Sequence, residues 1–210
     1  MLLKERLDQQ RSRMGPAGRA AWQDLVDRLA RAGVADRVLK SGATLPDFVL
    51  PNAEGRLVTS EELLARGPLV LTFYRGEWCP YCAMTLDALE AGLPEIEAAG
   101  GQLVALSPET GGRALELKRA HGLNYEILID VDSGVALACG IALRMPDAYR
   151  KGVLLGGIDL AERQGNDGWF VPIPACFVID RSGVIRTVFA DPDFTQRPEP
   201  ADIVAALKRL

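Results

Sequence analysis

Leucines, valines and alanines recur at helical spacing among charged residues over positions 3–13 and 17–32, and Gly33 follows as a C-cap. The pattern predicts two helices forming an N-terminal extension over residues 1–37, ahead of a domain spanning 38–210. Residues 45–55 form a short strand and turn, and Thr59 with Glu62 predicts a capped helix ending near Gly67. Apolar strand runs then alternate with helical stretches. Strands are expected at 69–74, 103–107 and 126–129, and helices at 82–99 (interrupted by Pro94), 112–121 and 133–139. Near-continuous apolar strands separated by helices predict a largely parallel sheet covered on both faces. Residues 144–169 are expected to be irregular, with turn signals at Gly156-Gly157 and Asn166-Asp167-Gly168. A hairpin over 175–180 and 184–189 and a final helix over 200–210 close the chain.

Composition narrows the classes. The 210 residues are 48% apolar, as in an ordinary globular chain, with a net charge of −4. A pI near 5.2 and the lack of a Lys/Arg stripe argue against nucleic acid as a partner. No apolar run approaches a membrane span, and the start lacks the apolar core of a signal peptide. The expected location is therefore the cytosol. Four cysteines in so long a chain do not form a disulfide framework, so a close pair there signals metal or redox chemistry. Zinc needs about four N/S ligands in closely spaced pairs. Cys139 and Cys176 are far apart in sequence, and His121 is the only histidine, so no metal or other cofactor is expected.

The chemistry concentrates at Cys79-Pro80-Tyr81-Cys82, where the strand at 69–74 passes through Arg75, Gly76, Glu77 and Trp78 into a helix. Pro80 suits the first helical turn, where a missing N–H is unpaired anyway. Cysteines three apart lie on one helix face, within reach of a disulfide. The first sulfur sits where unpaired N–H groups and the helix dipole favour negative charge, which stabilises the attacking thiolate. Cys82 is expected to be the more buried thiol. Arg75 is either a solvated loop charge or a cation beside the thiolate, and Glu77 is expected to face solvent. For Trp78 and Tyr81 two readings stand: a contact surface for a redox partner, or packing over the helix. Cys139 and Cys176 are expected to be packing residues, and His121 a partner of its helix C-terminus.

Several segments resemble the peroxiredoxin-like branch of the AhpC/TSA family. They are Phe73–Cys82, Leu45-Pro-Asp-Phe-Val-Leu-Pro-Asn-Ala-Glu-Gly, Ala105-Leu-Ser-Pro-Glu-Thr, Val171-Pro-Ile-Pro-Ala-Cys-Phe-Val-Ile-Asp and Asp191-Pro-Asp-Phe-Thr. The resemblance implies an α/β thioredoxin-like fold, with a central mixed β-sheet flanked by helices. It implies that Cys79 is the peroxidatic nucleophile, Cys82 the resolving thiol and Pro174 a cis-proline facing the pair. Three positions depart from the family pattern: Thr72 stands where the family's loop has a proline, Gly76 where a Thr/Ser hydroxyl orients the peroxide, and Pro174 where an arginine supports the thiolate. Peroxide turnover slower than a typical peroxiredoxin's is expected unless Arg75 supplies the charge.

Three functions follow from these residues. The first is a peroxidase acting on hydrogen peroxide or organic hydroperoxides, with a thioredoxin- or glutaredoxin-type protein as reductant. The second is a disulfide oxidoreductase using the same pair, since Cys-Pro-Tyr-Cys is also the glutaredoxin tetrapeptide. The third is a redox-sensing binding protein, its N-terminal helices serving as a contact element or as the arm of a homodimer.

Overall fold

The computed structural model describes residues 1–210. The N-terminal pattern folds as α1 (Leu3–Ser12) and α2 (Pro16–Arg31), with a short α3 (Val34–Arg37) beyond the left-handed Gly33. Strands β1 (Val49–Pro51) and β2 (Leu57–Thr59) pair antiparallel and lead into α4 (Ser60–Arg66), capped by the Thr59 hydroxyl accepting the Glu62 N–H at 3.0 Å. Next come β3 (Leu69–Phe73), α5 (Pro80–Ala98), β4 (Gln102–Ser107), α6 (Arg113–His121) and β5 (Glu126–Ile129). A single 3-10 turn at Val131–Ser133 precedes α7 (Gly134–Ala138). The remainder is β6 (Ala142–Arg144), α8 (Asp147–Leu155), α9 (Leu160–Gln164), β7 (Phe170–Pro172), β8 (Ala175–Ile179), β9 (Ile185–Ala190) and α10 (Pro200–Leu207).

The main sheet has five strands in the order β5-β4-β3-β8-β9. Strands β3, β4 and β5 are parallel, while β8 runs antiparallel to β3, placing Cys176 opposite Thr72. The sheet is therefore mixed, and helices flank it. All five residues of β3 are buried, as a central strand covered on both faces requires. No helix is long and apolar enough to cross a membrane.

Three expectations need correction. Pro94 does not interrupt its helix: α5, 19 residues in all, runs through it, because Leu89, Leu93 and Ile96 bury the flanking turns against the core. That burial outweighs the backbone hydrogen bond a mid-helix proline removes. Residues 144–169 are not irregular. They hold α8 and α9 around a second small core of Met145, Val153, Leu160, Trp169 and Val171. Helix α9 starts on Asp159, whose carboxylate accepts the Ala161 and Glu162 N–H groups, a cap hidden in sequence by the glycines before it. The third correction concerns Ile173–Pro174, which is trans, as every peptide bond here is. The Ile173 N–H bonds the Ile141 carbonyl at 2.8 Å, so the passage from β7 to β8 is extended, the conformation a pre-proline residue favours.

The N-terminal helices share the sheet's core. Leu3, Leu7, Leu25 and Leu29 are buried in the same cluster as β3, and α1 packs on α5. The Glu199 carboxylate, at the start of α10, accepts the Leu3 and Lys4 N–H groups at 3.1 and 2.7 Å. The apolar faces read as a contact element or dimer arm are thus buried against this chain's own domain. The turn after α7 is equally tight: Gly140, at φ +71°, runs so close to the Arg37 carbonyl that any Cβ would overlap it. Gly140→Ala is expected to destabilise the protein by more than about 2 kcal/mol, since neither the backbone conformation nor the space admits a side chain. Urea unfolding checks this, as a lowered midpoint with an unchanged slope.

Candidate active site

Strand β3 ends at Phe73 and hands the chain to a loop whose shape is set by Gly76 at φ +143°. A Cβ there would lie 2.5 Å from Trp78 Nε1 and 2.6 Å from Glu109 Cδ, so only glycine fits. The buried Glu109 carboxylate holds this loop in place, accepting the Glu77 N–H at 2.6 Å and pairing with Arg163 at 3.0 Å. The Glu77 side chain faces solvent, as expected, and also reaches Arg163, at 3.2 Å. Cys79 is then the N-cap of α5, with Pro80 as the first helical residue. The Cys79 carbonyl accepts the Cys82 and Ala83 N–H groups at 2.9 and 3.1 Å, which closes the first turn and puts both cysteines on one face.

Arg75 defines the electrostatics. It is buried, and its Nη2 donates to Cys79 Sγ at 3.0 Å while its backbone N–H donates to Cys82 Sγ at 3.4 Å. The guanidinium lies 4.0 Å from the centre of the Phe194 ring and 5.0 Å from that of Trp78. A second guanidinium, that of Arg197, reaches Cys82 Sγ at 3.9 Å. Burial alone would push the Cys79 thiol up. The hydrogen bond from Cys82 and the charges of Arg75 and Arg197 hold it well below the ordinary thiol value. Cys82 moves the other way, pushed well up by burial and by its hydrogen bond to the charged Cys79. The two thiols are therefore shifted in opposite directions, and Cys79 is the more acidic of the pair. Burial pushes Cys139 and Cys176 up to about 12, which leaves them as neutral packing groups.

The sequence-predicted residues come together here, with two differences. Cys82 is not the more buried thiol: both sulfurs are closed off from solvent, with Arg75 lying against Cys79 and Phe194 stacked on Arg75. Nor do Trp78 and Tyr81 form an exposed contact surface. Tyr81 packs edge-on against Phe194, with ring centres 5.6 Å apart, and Trp78 wedges between the main core and the small one. Pro174 lines one small cavity with Arg75 and Phe194 and another with Thr72, Thr85 and Arg197. His121 ends α6 and pairs with Asp87 at 2.7 Å, away from the dithiol. Sequence reasoning missed Arg197, Glu109, Phe194 and Arg163. Glu109 and Phe194 lie within the segments at 105–110 and 191–195 singled out above, whereas Arg197 and Arg163 carry no local signal.

Replacing Arg75 by methionine removes the cation while keeping much of the volume. The midpoint of Cys79 alkylation against pH should then move upward, towards the ordinary thiol value of about 8.5, because the thiolate loses its nearest positive charge. Peptide-resolved mass spectrometry of the alkylated full-length protein reads the midpoint directly.

Comparison with known proteins agrees with this geometry. Peroxiredoxin Q of Oryza sativa subsp. japonica is 24% identical over 103 residues, covering 49% of this chain and 47% of its own length, so the match spans about half of that relative. Thiol-disulfide oxidoreductase ResA of Geobacillus thermodenitrificans is 24% identical over 150 residues, covering 70% of this chain and 67% of that protein. Among solved structures, peroxidoxin BcpB of Mycobacterium tuberculosis aligns with a TM-score of 0.64 at 21% identity, over 82% of this chain and 98% of that one. That likeness fixes the fold as the one peroxidoxin BcpB shares. The AhpC/TSA family model matches residues 41–188, from ahead of β1 into β9 and including Arg75 to Cys82 and Pro174, though not Phe194 or Arg197, and the chain belongs to the AhpC/TSA family.

Proposed function

We propose that this protein is a thiol-dependent peroxidase in which Cys79 is the attacking thiolate and Cys82 the resolving thiol. The observation that carries the reading is the Arg75 guanidinium 3.0 Å from Cys79 Sγ, at the N-terminus of α5. In the first step Cys79 Sγ⁻ attacks one oxygen of a hydroperoxide and the O–O bond breaks. The sulfur is oxidised to sulfenic acid, and the departing alkoxide or hydroxide takes a proton from solvent. Arg75 supplies positive charge where negative charge shifts from sulfur to the leaving oxygen. In the second step Cys82 Sγ attacks the sulfenic sulfur, an S–S bond forms, and water leaves with the Cys82 proton. A dithiol protein of thioredoxin or glutaredoxin type then reduces the disulfide by exchange and is itself oxidised. Four unpaired cysteines suit a reducing compartment such as the cytosol.

The disulfide oxidoreductase reading uses the same pair and draws support from the similarity to ResA. Burial weighs against it. Both sulfurs are closed off, and a protein disulfide must bring a bulky chain to the attacking sulfur, whereas a peroxide needs only a small opening.

Donor-coupled peroxide consumption tests the reading. The wild type should turn over, and Cys79→Ser should fall to background. Cys82→Ser should consume about one equivalent and stop with the disulfide-forming donors, and Arg75→Met should slow oxidation on the order of 10²-fold. Mass mapping of the oxidised protein should find Cys79 joined to Cys82, with Cys139 and Cys176 free. Oxidation no faster than that of a free thiol at the same pH, beside brisk insulin reduction, would move the assignment to disulfide exchange.

A further inference from the structure

We propose that Trp22, on α2, is a positioning residue for the dithiol: its indole N–H holds Asp193, and Asp193 holds the strap that sets Phe194 against Arg75 and Arg197 against Cys82. This deepens the reading of Cys79 as the reactive thiol and is independent of which oxidant that thiol meets.

The strap is residues 191–199, between β9 and α10, and it has no sheet or helix bonding of its own. Apart from one backbone turn, in which the Gln196 N–H donates to the Asp193 carbonyl at 2.9 Å, its conformation rests on side-chain bonds. Asp193 Oδ1 accepts from Trp22 Nε1 at 2.9 Å, from the Thr195 N–H at 2.9 Å and from the Thr195 hydroxyl at 2.8 Å. Arg11 of α1 donates to the same hydroxyl at 3.5 Å and lies 5.6 Å from the Trp22 ring centre. Further along, Arg197 Nη1 donates to the Phe194 and Gln196 carbonyls, both at 2.6 Å, which leaves Nη2 for Cys82. Leu25 and Leu29, one and two turns beyond Trp22, line the cavity shared by Arg75, Tyr149 and Phe194. A continuous run of contacts therefore joins the second N-terminal helix to both sulfurs.

Two effects should follow, and they separate in one measurement. Arg197 supplies positive charge to the pair, so a displaced strap leaves Cys79 harder to ionise. Phe194 packs on Arg75, the cation in contact with Cys79, so a displaced strap also opens that side of the site. The other titratable groups facing the pair are Arg75 from the loop, Tyr81 from α5, Tyr74 after β3 and Tyr149 from α8, with Asp193 and Arg11 behind Tyr81. Trp22→Phe leaves Arg75, Tyr81, Tyr74 and Tyr149 untouched; it removes the N–H that Asp193 accepts and one of the two rings beneath Arg11.

The test is the rate of iodoacetamide alkylation of Cys79 against pH in the full-length protein, resolved by peptide mass spectrometry. Trp22→Phe should raise the midpoint by about half a unit and raise the plateau rate above it severalfold. Asp193→Ala should do the same, and the double variant should do no more than Asp193→Ala alone. Arg197→Gln should raise the midpoint by about one unit. Thermal unfolding verifies that each variant is folded, and Asp193→Ala carries the test if Trp22→Phe is not. A folded Trp22→Phe or Asp193→Ala protein with wild-type midpoint and plateau, or additive effects in the double variant, would overturn the proposal. So would an ordinary thiol midpoint in the wild type. A low wild-type midpoint without peroxide turnover would instead remove the peroxidase reading and leave this one standing.

Discussion

A buried guanidinium is expensive to desolvate unless something nearby carries negative charge. Arg75 meets that condition with sulfur and aromatic faces: Cys79 at 3.0 Å, Phe194 at 4.0 Å and Trp78 at 5.0 Å. Much of the local structure serves this one contact. Gly76 lets the loop turn back beneath Trp78, Glu109 pins its peptide, and Pro80 starts the helix that aims Cys79 at the cation. The ion pair and the fold support one another. Without the thiolate the arginine would lack a counter-charge, and without the arginine the buried sulfur would hold its proton.

The position of Gly76 also accounts for a departure from the family pattern. A Thr or Ser there would place its Cβ into the Trp78 indole and the Glu109 carboxylate, so this chain has no room for a hydroxyl at that point. No arginine stands at position 174, but Arg75 and Arg197 bring guanidiniums to Cys79 and Cys82 at 3.0 and 3.9 Å. The site departs residue by residue and retains a cationic cradle around one thiolate.

Much of this was legible before any coordinates. Strand β3, the Cys-Pro-Tyr-Cys turn and the Thr59 cap are local patterns, fixed by side-chain period, proline geometry and a hydroxyl within reach of a free N–H. The contributions of Arg197 and Trp22 are not local. They lie 115 and 57 residues from Cys82 and Cys79 respectively, and only the packing of α2 and the strap onto the sheet brings them to bear. Helices α8 and α9 escaped notice for another reason: short, glycine-bounded helices gain their stability from the small Trp169 core rather than from a long periodic face.

Two guanidiniums facing one thiolate form a balance that a change of sulfur oxidation state must upset. A disulfide between Cys79 and Cys82 would carry no charge, leaving the Arg75 and Arg197 guanidiniums beside the pair without the negative charge that reduced sulfur offers. The reduced form is therefore the electrostatically settled one, and a pair whose reduced form is favoured has a high reduction potential and yields its disulfide readily to a donor. If Cys79 acts as proposed, the guanidiniums that favour its thiolate also favour return of the pair to the reduced form once a thiol donor supplies the two electrons.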